Sequence, residues 1–275
     1  MQERMMNRLS IKTKVAGVIL GAALVWGFSS HQHVRAAADT GRTHSRTPVL
    51  VELFTSEGCS SCPPADELLA RLSRTSIIPD AEIITLGEHV DYWDGIGWRD
   101  RFSSHQFTER QNTYAQRFHL GSDYTPQMVV DGAAQFVGND AASAEQAIRH
   151  ATRQPKLALR IQNLSVQQDQ ASADISLDPL DGADNTGTLL NADLFAALTD
   201  KVDTTDVRAG ENGGRRLTHV NVMRTLQRVG SLGDLQAKPL HVQLTLPQGT
   251  VPANLRLVVF AQERGQGRVL AAAMQ

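Results

Sequence analysis

Apolar residues fall into two regimes along this chain. From Val49 to about Arg153, short β-forming runs alternate with stretches of helical period; from Lys156 onward the runs are short and separated by turns. The first run, Val49, Leu50, Val51, Leu53 and Phe54, has the pattern of a strand covered on both faces. Thr55 to Gly58 end it. Pro63 and Pro64 lack backbone donors and fit only the first turn of a helix. Leu68, Leu69 and Leu72 then recur at the spacing of a buried helical face, with Asp66 and Glu67 at the positive end of the dipole. Ser60 or Ser61 is the predicted cap.

After a connection from Ile77 to Asp80, a second strand is predicted from Glu82 to Leu86, giving a strand–helix–strand unit. The segment Glu88 to Arg101 reads as a loop that mixes His89, Tyr92, Trp93 and Trp98 with Asp91, Asp94 and Asp100. Ser103-Ser104 opens a helix through Phe118, marked by Phe107, Gln111, Tyr114 and Phe118. Tyr124-Thr125-Pro126 leads into an apolar strand to Val130, Asp131-Gly132 is a hairpin turn, Ala134 to Val137 pairs back, and Asp140 caps a helix to about Arg153. The tally from 48 to 153 is β-α-β-α-β-β-α.

Gln154-Pro155 closes that unit. Beyond it, strands are predicted at Leu157–Ile161, Ala173–Leu177, Leu189–Leu198, Leu240–Leu246, Leu255–Ala261 and Val269–Ala273, with a Gly/Asp-rich turn from Asp178 to Gly187. Asn221 to Val229 also fits a helical period. The expectation is an α/β domain over 39–155 and a β-sandwich-like domain over 156–275. Within the second, the Gly210–Arg216 stretch and His219 form a polar insertion, expected as a hairpin tip facing the α/β domain.

The chain begins with basic Arg4, Arg8, Lys12 and Lys14, an apolar run from Val15 to Phe28, and Ala36-Ala37-Ala38. These have the order of a secretory signal peptide cut after Ala38, and the run is shorter than the ~20 residues of a membrane span. Export would place the protein in the periplasm or outside the cell, where thiols oxidise. The formal net charge of −2 gives no field for nucleic acid, and no cofactor-binding pattern is present.

With 2 cysteines in the whole chain, Cys59 and Cys62 have only each other. Both stand at a predicted helix N-terminus, where unpaired N–H groups stabilise a thiolate, the attacking species in disulfide exchange. Cys59 is the expected exposed nucleophile and Cys62 the resolving thiol. Glu57 opposes thiolate formation, and no cationic residue adjoins the pair. The expected partners are protein thiols and disulfides, with a further partner to supply or accept electrons. Competing readings are a structural disulfide in a binding module, and a copper or zinc site of Cys59, Cys62 and His89. Tyr92, Trp93 and Trp98, beside the end of a parallel strand, are substrate-binding candidates, with plain packing as the alternative.

Together these residues resemble the thioredoxin-like superfamily, and more closely a family of secreted bacterial thioredoxin-like proteins in which FTSEGCSSCPPAD, HVDYWD, FTERQ, YTPQ and GENGGR recur in this order. The resemblance implies redox roles for Cys59 and Cys62, and a cis peptide bond at Pro126 that shapes, with Thr125, the peptide-binding edge beside them. The chain departs from thioredoxin in having Ser-Ser between the cysteines and no Trp before Cys59. On export, mass spectrometry of protein from a bacterial cell envelope should find the N-terminus at or near Asp39; an intact Met1 in membrane fractions would be the contrary result.

Overall fold

The strand containing Val49–Phe54 becomes the centre of an eight-stranded sheet, because both of its faces are apolar and each finds a cover. The structure, a computed structural model, describes residues 46–74, 78–178 and 191–275. The predicted signal peptide, the tether from Asp39 and most of the 178–187 turn lie outside these residues.

In chain order the first elements are β1 (Thr47–Thr55), α1 (Pro63–Arg74), β2 (Ala81–His89), α2 (His105–Arg117), β3 (Gln127–Val130), β4 (Ala134–Val137) and α3 (Ala141–Ala151). This is the expected β-α-β-α-β-β-α order. β1 and β2 are parallel, β3 runs antiparallel to β1, and β4 antiparallel to β3. Val49, Val51, Leu53, Met128 and Val130 point to one face and meet Leu68, Leu69 and Leu72 of α1 and Ala144 and Ile148 of α3. The alternate residues Leu50, Phe54 and Val129 point to the other, where Phe107 and Tyr114 of α2 pack. Ser104 and Asp140 cap α2 and α3 through their side chains. Helix α1 starts at Pro63, and the Cys62 carbonyl accepts the Asp66 N–H, so Cys62 holds the cap position expected of Ser60 or Ser61.

The remaining elements are β5 (Leu159–Gln167), β6 (Gln170–Leu177), β7 (Ala192–Asp206), β8 (Arg216–Ser231), α4 (Leu232–Ala237), β9 (Leu240–Thr245), β10 (Leu255–Glu263) and β11 (Val269–Met274). The helical option over Asn221–Val229 is overturned: those residues lie in β8, which pairs with β7 from Asp193–Ser231 to Asp206–Arg216. Cross-strand pairing along that length outweighs a local periodicity.

The predicted separation at Pro155 is also overturned. The sheet order β11-β10-β7-β8-β2-β1-β3-β4 joins the two halves at β8 and β2, parallel at Gly87–Val222. The described residues, on both sides of Pro155, belong to one compact unit. The sandwich survives in part, since the small sheet β5-β6-β9 stacks on β7, β10 and β11 through Ala173, Ile175, Val242, Leu257 and Val259. The sheet it stacks on is simply the continuation of the α/β sheet. Strand β10 shows why: Leu257, Val259 and Ala261 face the small sheet while Val258 and Phe260 face Leu50, Ile84 and Phe107. A strand apolar on both faces needs two covers, and the first half of the chain supplies one of them.

The hairpin turn Asp131-Gly132 is a second seam. The Asp131 carboxylate accepts the Leu50 N–H at 2.9 Å and pairs with Lys156 at 2.8 Å, while its carbonyl accepts the Val269 N–H. Gly132 has φ +62, and a Cβ there would stand 2.1 Å from the Gly267 carbonyl oxygen, so this turn admits no side chain. A third seam is charged. Arg110 is buried between Glu52 at 2.5 Å and Glu88 at 3.6 Å, and donates to Gln262 of β10 at 3.0 Å. Burial and the Glu52 charge hold the Glu88 carboxyl well above its ordinary range, Arg110 only partly opposing them.

A fragment of residues 39–155 should therefore fail to fold cooperatively, because it exposes Leu50, Ile84 and Phe107 and leaves Arg110 short of a partner. Far-UV circular dichroism and thermal unfolding check this; a sharp transition in the isolated fragment would show that the first half is self-sufficient.

Candidate functional site

Cys59 and Cys62 form a disulfide, with Cα atoms 5.4 Å apart, in the turn between the end of β1 and the start of α1. Ser56 and Cys59 carbonyls accept the Cys59 and Cys62 N–H groups, so the turn is fixed by its own backbone. Cys62 directly precedes Pro63 and lies at the positive end of α1. The expectation of an exposed Cys59 is corrected: both cysteines are 0% exposed, and only Ser60 and Ser61 between them reach solvent. Ser61 Oγ lies 3.3 Å from Cys59 Sγ.

The turn between β7 and β8, residues 207–215, holds most of the Gly210–Arg216 insertion expected to face the α/β domain, and it is fastened to the cysteine segment. Asn212 is fully buried, and its Nδ2 donates to the carbonyls of Glu57 and Cys59, both at 2.9 Å. Arg215 Nη1 donates to Asn212 Oδ1 at 2.8 Å, which orients the amide. The Glu211 carboxylate accepts the Ser60 N–H at 3.1 Å.

Below the pair lies a buried polar cluster. Glu57 Oε2 accepts from Trp98 Nε1 at 2.8 Å, and Glu57 Oε1 is 3.7 Å from His219 Nε2. His219 Nδ1 is 3.5 Å from Asp66 Oδ1, and Thr55 Oγ1 donates to Asp66 Oδ2 at 3.2 Å. His89 crosses edge-on to His219, with ring centroids 4.7 Å apart, and its Nδ1 meets Asp100 Oδ2 at 2.6 Å. Asp100 also accepts the N–H groups of Glu57 and Phe102. Burial opposes charging of either partner, but the Asp100 charge and hydrogen bond leave His89 raised above its ordinary value, and His89 with the two N–H donors holds Asp100 down to about 2. Neither ring nitrogen of His219 makes a hydrogen bond, and Glu57 Oε1 makes none.

The other expected residues are distributed around this centre. Trp93 Nε1 donates to Thr125 Oγ1 at 2.8 Å, and Trp93 Cβ would touch a Gly58 Cβ at 3.1 Å, so Trp93 and Thr125 are brought beside the cysteine turn. The Thr125–Pro126 peptide bond is cis, as expected. Gly138 is squeezed against Pro126, Ala65 and Leu53, where a Cβ would stand 3.0, 3.1 and 2.7 Å from their carbons. Tyr92 donates to Gln111 at 3.1 Å, and its hydroxyl also lies within reach of the Thr125 side chain. Trp98 carries out a packing and hydrogen-bonding role on Glu57. His89 is on strand β2 rather than in a loop, and its Nδ1 is committed to Asp100. Among the described residues no group of three or more His, Cys, Asp or Glu is arranged to hold a metal ion.

Sequence reasoning missed Asn212 as the side chain bonded to the cysteine turn and His219 as a member of the buried polar cluster. The alternation Leu217, His219 into the buried run of β8 was a signal for His219; Asn212 had only its glycine neighbours.

The family described as "Protein of unknown function (DUF1223)" matches residues 50–262, and the chain belongs to it. A crystal structure of a protein from Agrobacterium tumefaciens has a similar fold, with a TM-score of 0.59 at 24% identity over 84% of this chain and 94% of that one. No curated protein matches.

The His89–Asp100 pair sets a pH signature. The raised His89 stabilises the fold below about pH 6.5 and loses this as pH rises through its folded value; the lowered Asp100 stabilises it above about pH 4 and loses this as pH falls toward about 2. Asp100→Asn should accordingly lower thermal stability most between about pH 4 and 6.5, read from melting curves across pH; an equal loss at every pH would assign Asp100 a purely steric role.

Proposed function

We propose that this DUF1223 chain is an exported thiol-disulfide oxidoreductase whose first half is a thioredoxin-like unit. The observation that carries the reading is the placement of the Cys59–Cys62 disulfide between the end of a central parallel strand and the N-terminus of α1. There the helix end favours negative sulfur, and the two sulfurs are close enough to close or open a ring without moving either element. The sheet neighbourhood β2-β1-β3-β4 and the cis Thr125–Pro126 bond support the thioredoxin-like comparison.

In this reading Cys59 is the nucleophile. Its thiolate attacks a substrate disulfide, forming a mixed disulfide and expelling one substrate thiolate; Cys62 then attacks Cys59 Sγ, regenerates the internal disulfide and releases the second substrate thiolate. The reverse sequence oxidises a substrate dithiol. Trp93 and Thr125 form the wall beside the cysteine turn, and protein thiols or disulfides are the substrate class. Export rests on the basic start, apolar run and Ala36-Ala37-Ala38 alone. A second reading, a binding module with a locked disulfide, draws on the complete burial of both cysteines.

The deciding experiment is trapping. Cys62→Ser should accumulate mixed disulfides through Cys59 at least about tenfold over Cys59→Ser, detected on non-reducing gels and by mass spectrometry. Equal trapping by both would remove the role assignment, and none by either would favour the locked disulfide. The midpoint potential then gives the direction of flow: about −120 mV marks an oxidant and about −270 mV a reductant.

A further inference from the structure

We propose that residues 207–215 are a lid over the Cys59–Cys62 disulfide, latched by Asn212, and that a thiol reaches the sulfurs only when this lid lifts. The inference rests on the oxidoreductase reading for its biological meaning and on geometry for its physical content.

Three hydrogen bonds fasten the turn to the cysteine segment: Asn212 Nδ2 to the carbonyls of Glu57 and Cys59, and the Ser60 N–H to Glu211. All cross from residues that are 151 or more positions apart in sequence. The turn is closed at its base by bonds of its own, from the Gly214 N–H to the Val207 carbonyl and from the Val207 N–H to the Arg215 carbonyl. Gly210 and Gly214 have φ of +72 and +82, and Gly210 rests on Trp98, whose Cβ would be 3.0 Å from a Cβ there. The lid can thus leave as a unit by breaking its three latching bonds and its packing on Ile96, Gly97 and Trp98, while keeping its internal bonds. Strands β7 and β8 beneath it stay paired.

Closed, the lid blocks the reaction. Thiol-disulfide exchange needs the incoming sulfur in contact with the sulfur it attacks, and both sulfurs here are sealed. With the lid raised, an incoming thiolate bonds to Cys59 Sγ, the Cys59–Cys62 bond breaks, and its electron pair departs on Cys62, which takes up a proton. The second sulfur of a dithiol then attacks the mixed disulfide, leaves as the oxidised dithiol, and frees Cys59, which is protonated in turn. Two electrons and two protons pass from the dithiol to the protein. The lid therefore selects for partners able to displace Asn212, and slows reaction with thiols that merely diffuse past.

Dithiothreitol is the probe, acting on the oxidised full-length protein, with reduction followed by alkylation and mass shift. Asn212→Ala removes two latching bonds and should speed reduction about thirtyfold; Glu211→Ala removes one exposed bond and should speed it about threefold. Should Asn212→Ala fail to fold, Glu211→Ala, which leaves no buried group unpaired, still decides. Unchanged rates in folded variants would overturn the lid. Faster reduction without trapping in Cys62→Ser would keep the lid and remove the oxidoreductase; trapping with unchanged reduction rates would do the reverse.

Discussion

The junction of β2 and β8 is the constraint on which the site depends. Gly87 has no side chain, and a Cβ there would come within 3.4 Å of the Val220 carbonyl oxygen and 3.8 Å of that of Asn221. Those are ordinary contact distances, so it is the parallel pairing of Gly87 with Val222 itself that joins two strands more than a hundred residues apart. Strand β8 then delivers His219 beneath the cysteine turn, and the turn leading into β8 delivers Glu211 and Asn212 above it. The cysteines come from one half of the chain, and the side chains that latch their turn by hydrogen bonds come from the other.

Such an arrangement concentrates ionisable groups away from water. Glu57, Asp66, His89, Asp100 and His219 are each 8% exposed or less. Burying them costs free energy that hydrogen bonds offset only where they are made, and at His219 and Glu57 Oε1 they are incomplete. Hydrophobic side chains of similar volume would have packed here at lower cost, so the polarity of this interior is a property of the site and is not explained by stability.

How much of this could be read from the sequence follows the range of the forces involved. Local patterns succeeded: the double proline placed α1, Ser104 and Asp140 capped their helices, and the β-α-β-α-β-β-α order came from apolar spacing. So did the pairing of the cysteines and the placing of the Gly210–Arg216 insertion. What failed was long-range. Nothing near Gly87 announces Val222 as its neighbour, so the sheet was cut at Pro155, where composition changes but hydrogen bonding does not. The doubly apolar run Leu255–Ala261 held a clue, since a sandwich strand with one wet face would alternate. His89 was placed in a loop because strand ends are decided by pairing with β1, which reaches Thr55–His89.

The buried guanidinium of Arg110 bears on how this chain is made. Its partners are Glu52 on β1, Glu88 on β2, Tyr114 on its own helix and Gln262 on β10. As the polypeptide leaves the ribosome from its N-terminus, the first three emerge long before the last. Until Gln262 is out, the charge at the centre of the first half lacks one of its ligands, and the apolar face beside Leu50 and Phe107 lacks Phe260. Until the second half follows, the α/β segment exposes an apolar face that the folded chain covers, a condition under which association with other chains competes with folding.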